Sequence, residues 1–385
     1  MKKKKLAFVD LTNFVDWPIG GMLQYELTIL KYLNKYFDID LWGVSVNGQK
    51  KEEIVIHNIK YHVNIWGNVK TKNKIIPNYW RGLLISKGNK NKFKDYDYVY
   101  VHTGSCAVGL NLIIDHDKTK LIYHQHGLSH QKDYSLASLI QRPFVNYAQK
   151  ISNLIFVVSS KEEVKAYVST KMRRAKGKFM PILSPIILDE KALIELEKNI
   201  LTDCKKVKNF IYTGRLDLHK DVQTVIKAFD IYHRKFKDST LTIVGDGDKR
   251  ESLENLCLDL KLNDCIKFIG AVPHEEISKY LSMSDIYLTA SIGEGMSIAV
   301  LEAYMSGLPV VCFNVPGLHK QVVNGKTGIV LDKRCPKEMC NGMIQASKNY
   351  RELSLGCLNE VKKYDAEELT KYIAQGIMED SCNEI

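Results

Sequence analysis

Short apolar runs alternate with longer polar or amphipathic stretches throughout the first half of the chain. The first run leads into a stretch that places Leu23, Leu27 and Leu30 on one helical face. Five runs have the length and residue types of buried strands: Leu6–Asp10, Ile39–Val46, Tyr98–His102, Leu121–Gln125 and Leu154–Val158. Because helical or polar stretches separate these runs, the pattern predicts an α/β domain with a parallel sheet.

The same alternation restarts near Phe210 and is more regular there. Directly after the first run, Val222, Val225, Ile226 and Phe229 form a helical stripe. The five predicted strands of this half are Phe210–Thr213, Leu241–Val244, Ile266–Ile269, Ile286–Leu288 and Pro309–Phe313. Regular strand–helix alternation predicts a second, doubly wound sheet, whose ligands bind at the carboxyl ends of the strands.

The two patterns suggest two domains. A length of 385 residues exceeds one ordinary hydrophobic core, and a cleft between the domains is expected. The segment from Met180 to Pro185 contains two prolines and separates the two patterns, which is typical of a domain linker. We therefore predict an N-terminal domain over residues 1–183 and a C-terminal domain over residues 184–364.

The charge distribution bears on partners rather than on the fold. The formal net charge is +11, and basic residues cluster at two places in the first half: Lys87, Lys90, Lys92 and Lys94, then Lys165, Lys171, Arg173, Arg174, Lys176 and Lys178. Each cluster alone is typical of a solvated surface, but together they indicate contact with an anionic membrane surface. Neither is interleaved with regular aromatic residues, so nucleic acid is not an expected partner.

Cysteine usage and hydrophobicity indicate a cytoplasmic protein. The nine cysteines are scattered and form no CxxC pair, which argues against a disulfide framework and against a zinc site. No apolar run approaches the roughly 18 residues needed to span a bilayer. The basic start leads directly into a strand-like segment, which is too short for a signal-peptide core. We predict a cytoplasmic location with peripheral contact at the inner face of the plasma membrane.

Candidate chemistry lies at the carboxyl ends of the second set of strands. Arg215 follows the strand that ends at Thr213, and Lys220 lies just ahead of a helix that begins near Asp221. Two cations beside a helix N-terminus can neutralise a pyrophosphate, because the free N–H groups and the helix dipole add to their field. The alternative is an ordinary solvated pair of basic side chains.

A second feature is the pair of carboxylates Glu294 and Glu302, eight residues apart across a loop-to-helix junction. This spacing is a little over two helical turns, so both side chains can face one side. Gly295 permits close approach of a ligand. The next backbone N–H groups are candidate donors to sugar or phosphate oxygens: those of Met296, Ser297 and Ile298. A third feature is the loop around Val272, which can line a base pocket. Two unrelated surface glutamates remain the alternative for an isolated pair.

Together these segments resemble glycosyltransferase family 4. The matching motifs occur in the family's order between about residues 210 and 332: Gly214-Arg215-Leu216, Lys220, Ile243–Gly247 with Gly245, Phe268–Gly270, Glu294–Glu302 and Ser306–Val311. The resemblance implies a retaining transfer from a nucleoside diphosphate sugar with no obligatory metal. It also implies that Arg215 and Lys220 clamp the diphosphate, that Glu294 contacts the sugar and that Glu302 contacts the ribose.

In the first half the resemblance rests on Gly20-Gly21, taken as donor-binding glycines, and on His126 at a strand end. It implies that His126 reaches toward the transferred sugar and the departing phosphate, although a histidine at such a place is about as often structural. The fold class implied is α/β, with two Rossmann-like domains facing a central cleft (GT-B). The C-terminal region, about residues 365–385, is expected to pack back on the first domain.

This chain departs from the family pattern at two places. Met296-Ser297 stands where the family commonly has an aromatic residue and then Pro or Gly, so donor identity is not carried over. Leu183-Ser184-Pro185 replaces the usual Asn-Gly turn of the interdomain linker.

Two short motifs are excluded as sites. Asp95-Tyr96-Asp97 mimics a metal-binding DxD but immediately precedes an apolar strand, and Gly325-Lys326-Thr327 lacks the first glycine of a phosphate-binding loop because Lys320 stands there. No metal and no cofactor are expected.

The leading hypothesis is a retaining glycosyltransferase that uses a UDP-sugar rather than a GDP-sugar. Its expected acceptor is a polyprenyl-linked or other lipid-linked saccharide, as in bacterial surface-polysaccharide assembly. A nucleotide-sugar epimerase and a non-catalytic, nucleotide-sugar-binding partner subunit remain alternatives.

Overall fold

The computed structural model describes residues 3–15, 21–45, 48, 52–68, 78–128, 136–172, 175, 177–202, 206–294 and 296–379. The chain divides into two compact units. One comprises residues up to Ile187 together with those from Ala366 onward, and the other comprises Leu188–Asp365. Each unit contains one largely parallel sheet accompanied by helices, so the predicted pair of Rossmann-like α/β domains is confirmed.

The first unit is built on eight strands: β1 (Lys4–Val9), β2 (Phe37–Ser45), β3 (Glu53–Ile56), β4 (Ile59–Asn68), β5 (Tyr98–Val101), β6 (Lys120–Gln125), β7 (Leu154–Val158) and β8 (Lys178–Ile182). They form one sheet in the order β3-β4-β2-β1-β5-β6-β7-β8, and only the β3–β4 pair is antiparallel. Strands β5 and β7 consist of buried apolar residues, and so does β1 from Leu6 onward, as expected for a parallel sheet covered on both faces.

The second unit is built on six strands: β9 (Asn209–Thr213), β10 (Thr240–Val244), β11 (Ile266–Gly270), β12 (Ile286–Leu288), β13 (Val310–Phe313) and β14 (Gly328–Leu331). They form a parallel sheet in the order β11-β10-β9-β12-β13-β14. The chain runs outward from β9 to β11 and then resumes on the other side of β9. The strand order therefore reverses between β9 and β12, which is where sheets of this kind bind ligands.

Helices connect most of these strands. In the first unit they are α1 (Gly21–Leu33), a 3₁₀ helix (Asn78–Ser86), α2 (Gly104–Asn111), α3 (Leu136–Ile151) and α4 (Lys161–Lys171). In the second unit they are α5 (Glu190–Thr202), α6 (Val222–Lys235), α7 (Arg250–Asp259), α8 (His274–Ser282), α9 (Ile298–Met305), α10 (Leu318–Gln321), α11 (Pro336–Lys348), α12 (Tyr350–Val361) and a 3₁₀ helix (Lys362–Tyr364). Across the described ranges, no helix is long and apolar enough to cross a membrane.

The predicted linker was wrong in its first part. Met180, Pro181 and Ile182 belong to β8, which pairs with β7 at the edge of the first sheet. A proline is tolerated on an edge strand because its missing N–H need not face a neighbouring strand. The structure divides the chain between Ile187 and Leu188, where the sequence analysis placed the divide between residues 183 and 184.

The last helix, α13 (Ala366–Met378), belongs to the first unit rather than the second. The Ala366 N–H donates to the carbonyl oxygen of Ile186 at 2.9 Å. A Cβ atom added to Gly376 would lie 2.7 Å from Met180 Sδ. The glycine therefore lets α13 approach β8 closely, and the chain passes from one unit to the other twice.

Candidate functional site

Backbone hydrogen bonds join the loops that follow β9, β10 and β11 in the second unit. The Gly214 N–H donates to Val244 O at 2.9 Å, and the Gly245 N–H donates to Gly270 O at 2.8 Å. Gly245 has a φ of 136°, and a Cβ atom there would lie only 1.9 Å from Gly214 O. Only glycine fits that position. The predicted residue Gly245 thus shapes the edge of the sheet from which Arg215 and Lys220 extend.

The structure brings two predicted site residues together at the switch point. Lys220 follows β9, Glu294 follows the neighbouring strand β12, and Lys220 Nζ lies 2.5 Å from Glu294 Oε1. The two side chains are 22% and 15% exposed. The Ile292 N–H donates to His219 O at 2.8 Å, which fastens the two loops to each other. An ammonium group and a carboxylate are therefore held side by side at the edge where sheets of this kind bind ligands.

Arg215 does not join this ion pair. Its side chain is 78% exposed, and its Nη2 lies 3.3 Å from Asp217 Oδ2. Asp217 also accepts a hydrogen bond from the Lys220 N–H through Oδ1, at 3.1 Å. Of the two predicted cations, Lys220 is fixed in place and Arg215 extends into solvent.

Glu302 has a partner that the sequence analysis missed. It is a buried residue of α9, and its Oε1 lies 2.6 Å from Nε2 of His274, the first residue of α8. The hydrogen bond to Glu302 raises the pKa of His274. Because His274 directly follows the loop that contains Val272, the contact brings Glu302 beside the predicted base pocket. No sequence motif marks His274, since its partner is contributed by another helix.

One predicted backbone donor is already used within the protein. The Ser297 N–H donates to Gln321 Oε1 at 2.9 Å, and Gln321 Nε2 donates back to Ser297 O at 2.8 Å. The expectation that the Ser297 N–H serves a ligand stays a prediction, and a ligand there would have to replace Gln321 as the acceptor. Met296 precedes this residue, and Ile298 begins α9. Gly20 and Gly295 lie outside the described residues, and Gly21 is the first residue of α1.

Three histidines stack at the carboxyl ends of β5 and β6 in the first unit. The ring centre of His102 lies 4.8 Å from that of His124 and 5.0 Å from that of His126. His102 Nδ1 is hydrogen-bonded to His126 Nε2 at 2.7 Å, and the Tyr25 hydroxyl to His124 Nε2 at 2.8 Å. Burial lowers the pKa of His126 to about 4. The predicted residue His126 is consequently neutral near pH 7, and it interacts with its neighbours through a hydrogen bond and ring stacking.

A buried carboxyl pair lies at the carboxyl end of β1 in the same unit. Thr12 Oγ1 donates to Asp10 Oδ2 at 2.5 Å and lies 3.2 Å from Glu26 Oε1. Burial, and then the neighbouring Asp10 carboxylate, raise the pKa of Glu26. Asp10 and Glu26 were missed because neither belongs to a recognisable motif.

Within the described ranges, no group of three or more His, Cys, Asp or Glu side chains could hold a metal ion. Asp97, from the DxD-like segment, accepts the Lys5 N–H at 2.8 Å and thereby serves strand pairing. Lys326, from the loop that resembles a phosphate site, lies 3.4 Å from Glu360.

The family comparison covers the region that contains these second-unit residues. Residues 194–374 match the family model described as glycosyl transferases group 1. This segment therefore resembles a group 1 glycosyltransferase domain. Lys220, Glu294, Glu302 and His274 all lie within it. The Lys220–Glu294 and His274–Glu302 contacts thus lie within the part of the chain that matches the glycosyltransferase model.

Relatives of this glycosyltransferase domain include two uncharacterised glycosyltransferases. One, from Methanocaldococcus jannaschii, is 26% identical over 366 residues, which cover 90% of each chain. The other, from Haemophilus influenzae, is 32% identical over 149 residues. That match covers 38% of this chain and 41% of the relative, less than half of its length.

Solved structures share the fold of the whole chain. Sucrose-phosphate synthase from Thermosynechococcus elongatus superposes with a TM-score of 0.75 at 17% identity, covering 97% of this chain and 98% of that one. HepE from Anabaena, crystallised with UDP, superposes with a TM-score of 0.70 at 18% identity, covering 96% and 98%. These likenesses show the fold alone: two Rossmann-like α/β domains with parallel sheets, as in GT-B proteins.

Proposed function

We propose that the chain transfers a sugar from a nucleoside diphosphate sugar to a saccharide acceptor with retention of configuration. The observation that carries the proposal is the Lys220–Glu294 pair, which lies at the switch point of a glycosyltransferase domain. A cation at this place can stabilise the diphosphate as it leaves, and a carboxylate beside it can orient the sugar hydroxyls.

The proposed step needs no protein nucleophile. The bond between the anomeric carbon and the diphosphate oxygen breaks, and the acceptor hydroxyl forms its new bond on the same face of the sugar. The hydroxyl proton passes to an oxygen of the departing diphosphate. Lys220 stabilises the developing charge from its fixed position, and the exposed Arg215 side chain turns from Asp217 to the outer phosphate.

His126 is proposed to donate a hydrogen bond to the substrate as a neutral imidazole. Its lowered pKa argues against a permanent cation at that position. A neutral donor binds sugar or phosphate oxygens without adding charge to the buried histidine stack.

We propose a UDP-sugar as the donor in preference to a GDP-sugar. HepE from Anabaena was crystallised with UDP and with UDP and glucose, which supports this choice. Within this chain, Glu302 is proposed to accept hydrogen bonds from the ribose hydroxyls and the backbone near Val272 to contact the base. The His274–Glu302 contact supports that assignment, because it keeps the carboxylate beside this loop.

The acceptor is proposed to be a lipid-linked saccharide at an anionic membrane surface. Trp80 and Leu84, on the first 3₁₀ helix, are 45% and 51% exposed, and the exposed lysines Lys87, Lys90 and Lys94 follow directly. An exposed tryptophan and leucine beside lysines are typical of an interfacial membrane surface.

Vesicle sedimentation tests the membrane contact. Binding to phosphatidylglycerol vesicles should exceed binding to phosphatidylcholine vesicles, and Lys87→Glu with Lys90→Glu should abolish the difference. Lys261→Glu with Lys267→Glu changes the net charge equally on exposed residues of the second unit and serves as the control. An equal loss in both double variants would leave only a general charge effect and refute a defined surface.

Product analysis separates the transferase from the two alternatives. The protein is incubated with UDP- and GDP-sugars, with and without a lipid-linked acceptor, and products are followed by NMR. A transferase releases the nucleoside diphosphate and gives a product with the donor's anomeric configuration. An epimerase returns an altered nucleotide sugar, whereas binding without turnover in every mixture would overturn the enzymatic proposal.

A further inference from the structure

The Arg334 side chain joins segments that follow four different strands of the second sheet. Arg334 follows β14, and its guanidinium carbon lies 5.0 Å from the ring centre of Phe313, at the end of β13. Nη1 donates to Ser291 O at 3.2 Å, after β12. Nη2 donates to Ala290 O and, at 2.7 Å, to Asp221 Oδ2, after β9. One planar group therefore links the edge of the sheet from β9 to β14.

The contact with Asp221 stabilises the turn that presents Lys220. Asp221 directly follows Lys220 and has a φ of 47°, a left-handed conformation that is unfavourable for most residues other than glycine. Its Oδ2 accepts hydrogen bonds from Arg334 and from Thr224 Oγ1 at 2.8 Å. The carboxylate that keeps this strained turn in place is thus held by Arg334.

The contacts with Ala290 and Ser291 fix the start of the loop that carries Glu294. Ser291 lies three residues before Glu294, and the Glu294 N–H donates to Pro316 O at 3.0 Å. Arg334 therefore holds both chain segments whose side chains meet as the Lys220–Glu294 pair, although it contacts neither side chain.

We propose that Arg334 is a positioning residue for the Lys220–Glu294 pair. Arg334 fixes the distance between the two segments, so that the Lys220 ammonium group and the Glu294 carboxylate are already placed when the donor binds. This role rests on the proposed function only in that Lys220 and Glu294 handle the donor. This role requires an arginine, because the planar guanidinium group donates from two nitrogen atoms to both segments at once. Lysine has a single ammonium group on a flexible chain.

Arg334→Lys removes the guanidinium hydrogen bonds to the two segments and keeps the positive charge. We expect kcat to fall by roughly 10- to 100-fold, because small misplacements of catalytic groups have effects of that size. Arg234→Lys is the matched control, since Arg234 pairs with Asp230 at 2.8 Å in the same unit. A similar fall in both variants would show a general loss of stability and contradict a positioning role.

A double-mutant cycle tests whether Arg334 acts through Lys220. If it does, Arg334→Lys should lower turnover and UDP affinity by a clearly smaller factor when Lys220→Ala is already present, because only the placement of Glu294 is then left to lose. Multiplied losses would show that Arg334 acts independently of Lys220 and would overturn the proposal.

Hydrogen–deuterium exchange tests the same inference without a donor sugar. Arg334→Lys should speed exchange in peptides covering residues 216–222 and 289–294 and leave those of α7 and α11 unchanged. Unchanged exchange in either target segment would refute the proposed link. If the wild-type protein used no donor at all, the transferase proposal would fail, while this measurement would still decide the role of Arg334.

Discussion

Lys220 and Glu294 form an ion pair at the carboxyl edge of the second sheet. Under the proposed function, the diphosphate of the donor binds the same ammonium group. The two side chains are only 22% and 15% exposed, so the pair is less screened than a fully exposed ion pair. Glu294 therefore has two effects at the level of single residues. It places Lys220, and under the proposed function it competes with the phosphate oxygens of the donor for the same Nζ.

Replacing Glu294 should separate nucleotide binding from sugar transfer. In Glu294→Ala the freed ammonium can bind phosphate, so UDP affinity should equal or exceed that of the wild type. Use of the intact donor should fall by about 100-fold, because the contact that orients the sugar is lost. Calorimetry with UDP and initial rates with the donor sugar measure the two effects. A parallel loss of both would contradict the assignment of Glu294 to the sugar.

The local sequence identifies Lys220 and Glu294 as site residues, but it does not identify Arg334 and Asp221, which hold their chain segments in place. Lys220 and Glu294 both follow recognisable strands within short motifs, so their position at the carboxyl edge is readable from the alternation of strands and helices. Arg334 is 113 residues from Asp221 along the chain, and neither residue type is unusual where it stands. Such contacts depend on strand order in the folded sheet, which residue patterns do not specify.

At the scale of elements, the turn between β10 and α7 depends on a close backbone approach. Gly245→Ala would place its Cβ 1.9 Å from Gly214 O in a left-handed backbone conformation, so a loss of about 2–4 kcal/mol in unfolding free energy is expected. Urea unfolding followed by far-UV circular dichroism measures it. Gly293→Ala is the control for stability, because a Cβ there meets no atom within 4 Å. Equal midpoints for the two variants would contradict this account of the turn.

The histidine stack at the ends of β5 and β6 predicts sensitivity to acid. Burial lowers the pKa of His102 and His124, and that of His126 to about 4. As pH falls below about 6.5, these three histidines become protonated in the unfolded chain but stay neutral in the folded protein. The unfolding free energy of the first unit should therefore decline between pH 6.5 and 4, by up to about 1.4 kcal/mol per pH unit for each histidine.

Tryptophan fluorescence reports this unit selectively, because all four tryptophans precede residue 81. Glu26 titrates with the opposite sign: its raised pKa makes the folded state more stable as pH falls toward 4.5. The measurement is therefore best made in a Glu26→Gln background, which removes that contribution. A stability of the first unit that stays constant between pH 6.5 and 4.5 would contradict a buried neutral stack.

Element prediction succeeded where periodicity was strong and failed at sheet edges. The buried strands Leu154–Val158 and Ile286–Leu288 have the predicted bounds. The edge strand β8 was assigned to a linker because prolines normally interrupt strands. Strand β4, which lies next to the edge strand β3, mixes buried and exposed positions without clear alternation. Strands near the edge of a sheet are less buried and tolerate more residue types, so their sequences are harder to recognise as strands.

At the scale of the whole molecule, the chain order of the elements gave the α/β class but not the route of the chain between units. The amphipathic C-terminal segment predicts a helix, yet its sequence alone does not say which unit it covers. The expectation that it packs on the first domain came from the family resemblance. The contact between Ala366 and Ile186, and the fit of Gly376 against Met180, show how α13 is accommodated there.

The central claim is that Lys220 serves the leaving diphosphate of a sugar donor, and one comparison of turnover tests it directly. Release of the nucleoside diphosphate from the best UDP- or GDP-sugar is measured for the wild type, Lys220→Ala and Lys326→Ala. Lys326 is a half-exposed lysine of the same unit that pairs with Glu360. We predict a loss of about 100-fold or more for Lys220→Ala and near-normal turnover for Lys326→Ala. Near-normal turnover in Lys220→Ala would contradict the account.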